Sequence, residues 1–279
     1  MEKMQKIIGK NIFRARTMAR LSRKSMAELL GISESSLQSY ESGKKYADYL
    51  LVDKISKSLN ITRDFFYEEP DESEMILFHA SVLNKKELDA IREFSRYKIS
   101  GVPTIVYVLN LPIFAPPAPS DSENPENAFE LGKTTAIQLC LQGDTLSESL
   151  EKIGIYVVLA DIENPLFRGL LIIKEKIPIV VLYSKSRREN TFLEDLAHEL
   201  GHIFLLNSKS DSDRTECLCD DFSRGFCESW NKTSKAIGKF DFLERMTVAA
   251  WKQEEISGSR AAEILGIKTG DFFLTYQMP

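Results

Sequence analysis

Residues 192–206 read FLEDLAHELGHIFLL. Phe192, Leu193, Leu196 and Leu200 recur at helical spacing, and Thr191 with Glu194 three residues on has the spacing of a capping box, so the stretch predicts an amphipathic helix. Within it lies His198-Glu199-Leu200-Gly201-His202. Residues four apart share a helix face, so both imidazoles can meet one ion, while Glu199 lies beside them within reach of a water on that ion. With 3 His and 26 Glu in 279 residues, such a pattern arises by chance in roughly 0.3% of chains, so coincidence is a weak rival. His79, the remaining histidine, reads as a surface or packing residue.

A catalytic zinc needs a third protein ligand and one open position. Downstream, residues 215–226, TECLCDDFSRGF, offer Glu216, with Asp220 four residues later on the same helical face. There Asp220 can accept the second ring N–H of a ligating histidine. Cys217 and Cys219 are the competing ligands, since thiolates bind zinc well. On a helix, however, a Cys-x-Cys pair points in opposite directions, and a closed site would leave no place for water, which favours Glu216. The Glu-x-x-x-Asp pattern after HExxH is similar to the third-ligand helix of thermolysin-like zinc peptidases. More widely, FLEDLAHELGHIFLL followed by ECLCDDFSRGF resembles the ImmA/IrrE metallopeptidases over roughly residues 130–230. That resemblance implies cleavage of repressor-type proteins, and some members carry a DNA-binding helix-turn-helix themselves. The family usually has Ala at the places of Cys219 and Ser223 and an aliphatic-aliphatic-Pro ending where this chain has GFCESW. The metal ligands are untouched by these departures, which bear on the shape of the cleft.

Outward from this helix, three β-rich runs precede it: GIYVVLAD from Gly154, FRGLLIIKEK from Phe167 and IPIVVLYS from Ile177. Before them come a helix over residues 145–152 and the proline-rich NLPIFAPPAPSDSENPEN, residues 110–127, which reads as a linker or surface loop. Residues 71–109 read as helical.

Residues 5–67 read as short helices broken at Gly31, Gly43 and Asn60. Ala27 at the packing position, Gly31 at the turn, and Leu37 with Tyr40 as inner anchors meet the needs of a helix-turn-helix. SMAELLGISESSLQSYESGKK resembles the Cro and lambda-repressor (XRE) type. By that resemblance Ser33 caps the recognition helix, Glu34, Ser35 and Ser39 face base edges, and Arg23, Lys44 and Lys45 lie near phosphates. Glu34 is an unusual base reader, since a carboxylate suits only cytosine amines. A double-stranded DNA operator is the implied partner, with a homodimer on a two-fold site. The rival is a helical oligomerisation domain with a solvated basic face. An echo follows late in the chain: LSRKSMAELLGISESSL from Leu21 and ISGSRAAEILGIKTGDF from Ile256 share Ser, Ala, Glu, Leu, Gly and Ile at matching places. The second copy lies in an acidic region and reads as a packing helix pair.

The charge divides in the same way. The chain carries a net −5, yet residues 1–67 hold 13 Lys+Arg against 7 Asp+Glu, +6, leaving −11 for the rest. One end suits a polyanion and the other does not. No apolar run approaches the roughly 20 residues of a membrane span, and the N-terminus has no signal-like apolar core, so the chain reads as cytoplasmic, without a membrane partner and with reduced thiols. The fold expected is α+β: a helix-turn-helix domain over 1–69, a helical connector and linker over 70–127, a zincin-like domain over 128–230 with a small sheet on the HExxH helix, and a helical region over 231–279. The function expected is a DNA-binding regulator with a zinc endopeptidase that cuts a repressor-type protein, Glu199 being the general base. Zinc is the expected ion; manganese or another divalent ion also suits the ligand set. The runner-up is a DNA-binding repressor whose peptidase-like domain senses or docks without proteolysis, and a third reading is a toxin-antitoxin component.

Overall fold

The computed structural model describes residues 2–69, 74–77, 84–115, 127–162, 164, 167–183, 189–205, 212–233 and 235–276. His79 and most of the proline-rich stretch lie outside them. The chain forms two compact units. The first comprises Met1–Glu72, Leu83–Gly101 and Thr247–Pro279; the second comprises Ser73–Val82 and Val102–Met246. Elements are numbered in chain order. Among the described residues no helix is long and apolar enough to cross a membrane.

In the first unit, α1 (Glu2–Met18), α2 (Arg23–Leu30), α3 (Glu34–Glu41) and α4 (Tyr49–Leu59) are followed by a short 3-10 turn at Asp64–Phe66. Their starts are set by side chains that satisfy the orphan amides of the first turn: Ser22 accepts from the Ser25 N–H, Ser33 from Ser36, and Asp48 from Leu51. Gly31 ends α2 with φ 64°, a left-handed conformation that glycine adopts at little cost. Ile8, Ile12, Met26, Leu30, Leu37, Val52, Ile55 and Phe66 form the core of this bundle. Fully buried Asn11 donates to the carbonyls of Phe66 and Glu68, which fixes the exit of the chain. Next in sequence, α5 (Lys85–Ile99) begins with a capping box between Asn84 and Glu87, and Arg14 of α1 donates to Glu93 of α5 at 2.5 Å.

The C-terminal part of the same unit repeats the helix, glycine, helix geometry. Ser257 caps α12 (Gly258–Leu265) by accepting the Arg260 N–H, Gly266 ends it with φ 67°, and α13 (Thr269–Thr275) follows. Ser22, Ala27, Gly31 and Leu37 correspond to Ser257, Ala262, Gly266 and Phe272, and the last of each set is fully buried. Trp251, near the end of α11 (Phe242–Lys252), packs with Ala261, Ala262 and Phe272.

The second unit is built on a four-stranded sheet of order β1-β3-β4-β2. β2 (Tyr156–Ala160), β3 (Gly169–Lys174) and β4 (Ile177–Tyr183) coincide with the three β-rich runs. β3 and β4 form an antiparallel hairpin turned by Glu175 and Lys176, both at positive φ, and β2 runs parallel to β4. The fourth strand, β1 (Glu74–Leu77), pairs antiparallel with β3. It falls within the stretch expected to be helical: a four-residue run such as Glu-Met-Ile-Leu suits either state, and pairing with β3 decides it. Among the described residues the unit also holds α6 (Val102–Val108), α7 (Ala128–Cys140), α8 (Leu146–Ile153), α9 (Glu189–Leu205), α10 (Ser212–Trp230) and the first residues of α11. α8 shows the Thr145 and Glu148 capping box, and α9 starts at Glu189, two residues before Thr191. Leu193, Leu196, Ala197, Leu200 and Ile203 turn one face of α9 into the core against Val180 and Leu182 of β4 and Phe222 and Phe226 of α10.

Candidate metal centre

α9 carries His198 and His202 one turn apart, and both are buried. Their Nε2 atoms stand 3.2 Å from each other. α10 brings Glu216 to the same point: Oε2 lies 3.2 Å from His198 Nε2, and Oε1 lies 3.9 Å from His202 Nε2. Gly201 makes this approach possible, because a Cβ there would sit 3.1 Å from the Cys219 Cα of α10. The three donor atoms lie within 4.8 Å of one another, and among the described residues no other group of three or more potential ligands comes together.

The residues fit a divalent ion. Ligands 2.0–2.1 Å from a tetrahedral ion stand about 3.3 Å apart, and two of the three separations here are 3.2 Å. Asp220 Oδ1 lies 2.8 Å from His198 Nδ1, which holds the proton on Nδ1 and leaves the Nε2 lone pair for the centre. Glu199 Oε2 is buried with no hydrogen-bond partner, an arrangement that costs free energy unless water or an ion completes it. Burial is the main reason the Glu199 carboxyl is pushed well above its usual range, with the charges of Glu216 and Asp195 adding to it.

Cys217 and Cys219 face opposite ways: the first is exposed and the second fully buried. Burial and the nearby carboxylates of Glu216, Glu199 and Asp220 push the Cys219 thiol strongly up, against the thiolate a metal would need. A cleft of about 670 Å³ opens over the site, lined among others by Arg168, Asp195, His198, Glu199, Cys217 and Asp220. Three of its features have little or no signature in the sequence. Gly169, the first residue of β3, abuts Glu199, since a Cβ there would lie 2.8 Å from Glu199 Oε1. Arg168 and Asp195 form a pair at 3.8 Å on the wall. Ser223 donates to the Glu194 carbonyl and ties α10 to α9. Small residues at positions 169 and 201 are the only sequence trace of these approaches.

In the first unit, Ser33 caps α3 as expected, and Glu34 and Ser35 are exposed on its first turn. Ser39 is half-buried and donates to the Ser35 carbonyl at 2.9 Å. Lys44 and Lys45 are exposed beyond α3, with Lys45 Nζ 4.8 Å above the Tyr40 ring. Arg23 donates to Glu41 at 3.0 Å, and Arg16 pairs with the same carboxylate. The Glu41 side chain is only 4% exposed, and the two arginines offset the cost of burying its charge.

A helix-turn-helix family matches residues 12–66 of the chain. The match covers the last part of α1 and all of α2, α3 and α4, and supports a DNA-binding, transcription-regulating domain at this end. Comparison with curated proteins and with solved structures gave no match.

Proposed function

We propose that this chain is a DNA-binding transcription regulator that carries a zinc-dependent endopeptidase and cuts a repressor-type protein. The observation that carries the reading is the convergence of His198, His202 and Glu216 within 4.8 Å, with the partnerless Glu199 oxygen beside them. The resemblance to ImmA/IrrE peptidases supplies the substrate class. His198, His202 and Glu216 would hold a zinc ion, which would supply Lewis acidity at this site, activating water and polarising a scissile carbonyl; manganese would suit the same donors. Asp220 keeps His198 in the tautomer that presents Nε2. Glu199 takes a proton from the attacking water and returns it to the leaving amine nitrogen. The +6 helix-turn-helix end reads a DNA operator, as a dimer on a two-fold site, and cleavage converts a signal into irreversible loss of a regulator.

Elemental analysis of the purified protein tests the centre. About one zinc per chain is expected, lost in His198→Ala and Glu216→Ala. Glu199→Gln is expected to keep the zinc and abolish cleavage of a co-incubated repressor. A native chain that takes up no metal after zinc is added overturns the reading, and a Glu199→Gln chain that still cuts overturns the assignment of the base.

A further inference from the structure

The sheet of the second unit ends beside the candidate base. Gly169, at the start of β3, lies against Glu199, so β3 is the strand that faces the reacting position. The Arg168 carbonyl accepts the Tyr183 N–H of β4 at 3.2 Å. Main-chain groups alternate sides along an antiparallel strand. Leu170 and Ile172 therefore also bond toward β4, whereas Gly169, Leu171 and Ile173 turn their N–H and C=O groups to the opposite edge. That edge is where an extended peptide would add as a strand, its backbone bonding to Gly169 directly beside Glu199.

The chain's own β1 already lies there. Glu74 stands opposite Ile173, Ile76 opposite Leu171 and Leu77 opposite Leu170, antiparallel to β3 and ending one register step short of Gly169. A peptide adding antiparallel with its scissile bond at Gly169 would lay its residues N-terminal to that bond along Leu170 to Ile173, in the same direction as β1. The two cannot occupy this edge together. β1 is also the shortest strand of the sheet, with four residues, and sits at its margin, where release leaves the β3-β4-β2 ladders intact.

We propose that β1 is an internal occupant of the substrate edge: it holds the place of the upstream half of a substrate, and the peptidase opens only when β1 leaves β3. The proposal rests on the peptidase reading given above. It makes the segment that follows the helix-turn-helix in sequence the regulatory element of the catalytic unit, with an extended stretch of the substrate protein as its competitor.

Ile76 faces Leu171 in a hydrogen-bonded pair, so Ile76→Pro removes a ladder donor, whereas the Met75 N–H points away from β3 and Met75→Pro leaves the ladder bonds in place. Both changes are made in the zinc-loaded Glu199→Gln chain, and binding of fluorescein-labelled β-casein, an extended protein, is followed by anisotropy. Ile76→Pro is expected to tighten binding about ten-fold, as removal of an occupant docked in about nine-tenths of molecules requires, and Met75→Pro is expected to leave it unchanged. Equal binding with and without Ile76→Pro overturns the proposal, as does the same gain in Met75→Pro, which would mark a general loosening. Failure of the underlying reading is distinct: a chain that takes up no zinc removes the peptidase and the proposal together, whereas a zinc-loaded chain indifferent to Ile76→Pro removes the proposal alone.

Discussion

Asp195 lies nearly one helical turn before His198 on α9, its side chain 11% exposed on the cleft wall. Burial pushes its carboxyl from 3.8 up to about 6, against the opposing pull of Arg168. An acid whose pKa rises on folding binds its proton more tightly in the native state. Its favourable contribution is therefore complete below about pH 4 and is lost as pH rises through about 6. In zinc-free protein, Asp195→Asn is expected to be more stable than the native chain at pH 8 by about 2 kcal/mol, with the gap shrinking toward pH 5. Urea denaturation at the two pH values measures it, and a gap that does not grow with pH would show that the buried charge is not the cause. At this scale the sequence is legible where spacing alone decides chemistry: His198, His202 and Glu199 follow from the period of one helix. The place of Arg23 is not legible, because its partner, Glu41, lies at the far end of α3, and only folding reveals that a buried carboxylate claims two arginines.

At the scale of elements, the two helix-glycine-helix segments allow a controlled comparison. Gly31 and Gly266 adopt nearly the same left-handed conformation, φ 64° and 67°. A Cβ at either meets only ordinary van der Waals neighbours, 3.8 Å to Lys54 Nζ and 3.5 Å to Tyr97 Oη. The penalty of alanine at each is therefore one of backbone alone, about 1 kcal/mol. Gly31→Ala and Gly266→Ala are expected to lower the unfolding free energy by similar amounts, which thermal or urea unfolding of the whole chain reads; a much larger loss at one would mean a packing clash there. Turns of this kind are local, and so Gly31 and Gly266 are legible without the fold. β1 is not, because a four-residue strand has no periodicity of its own and owes its state to β3, far along the chain.

For the whole molecule, the separation of a basic end from an acidic remainder predicts separable activities. Lys44 and Lys45 are exposed beyond α3, and each lysine–phosphate interaction removed lowers the slope of log affinity against log salt by about 1. Lys44→Glu with Lys45→Glu is expected to weaken operator binding and flatten its salt dependence by about 2, while zinc content stays that of the native chain. A loss of zinc in this variant would show that the two sites are not independent. The division into units is only partly legible: composition marks the basic end, but no local signal announces that residues near the C-terminus belong with the first hundred.

The discontinuity of the first unit has a consequence in time. Every buried side chain of the helix-turn-helix core lies between Ile8 and Phe66, so this core can close as soon as those residues leave the ribosome. α12 and α13 belong to the same unit but follow Thr247, and at roughly 5–20 residues per second they emerge about ten to forty seconds later. The metal centre falls between, since it needs both α9 and α10. During synthesis a finished helix-turn-helix core thus precedes the candidate metal centre, and α12 and α13 then complete the unit begun before it.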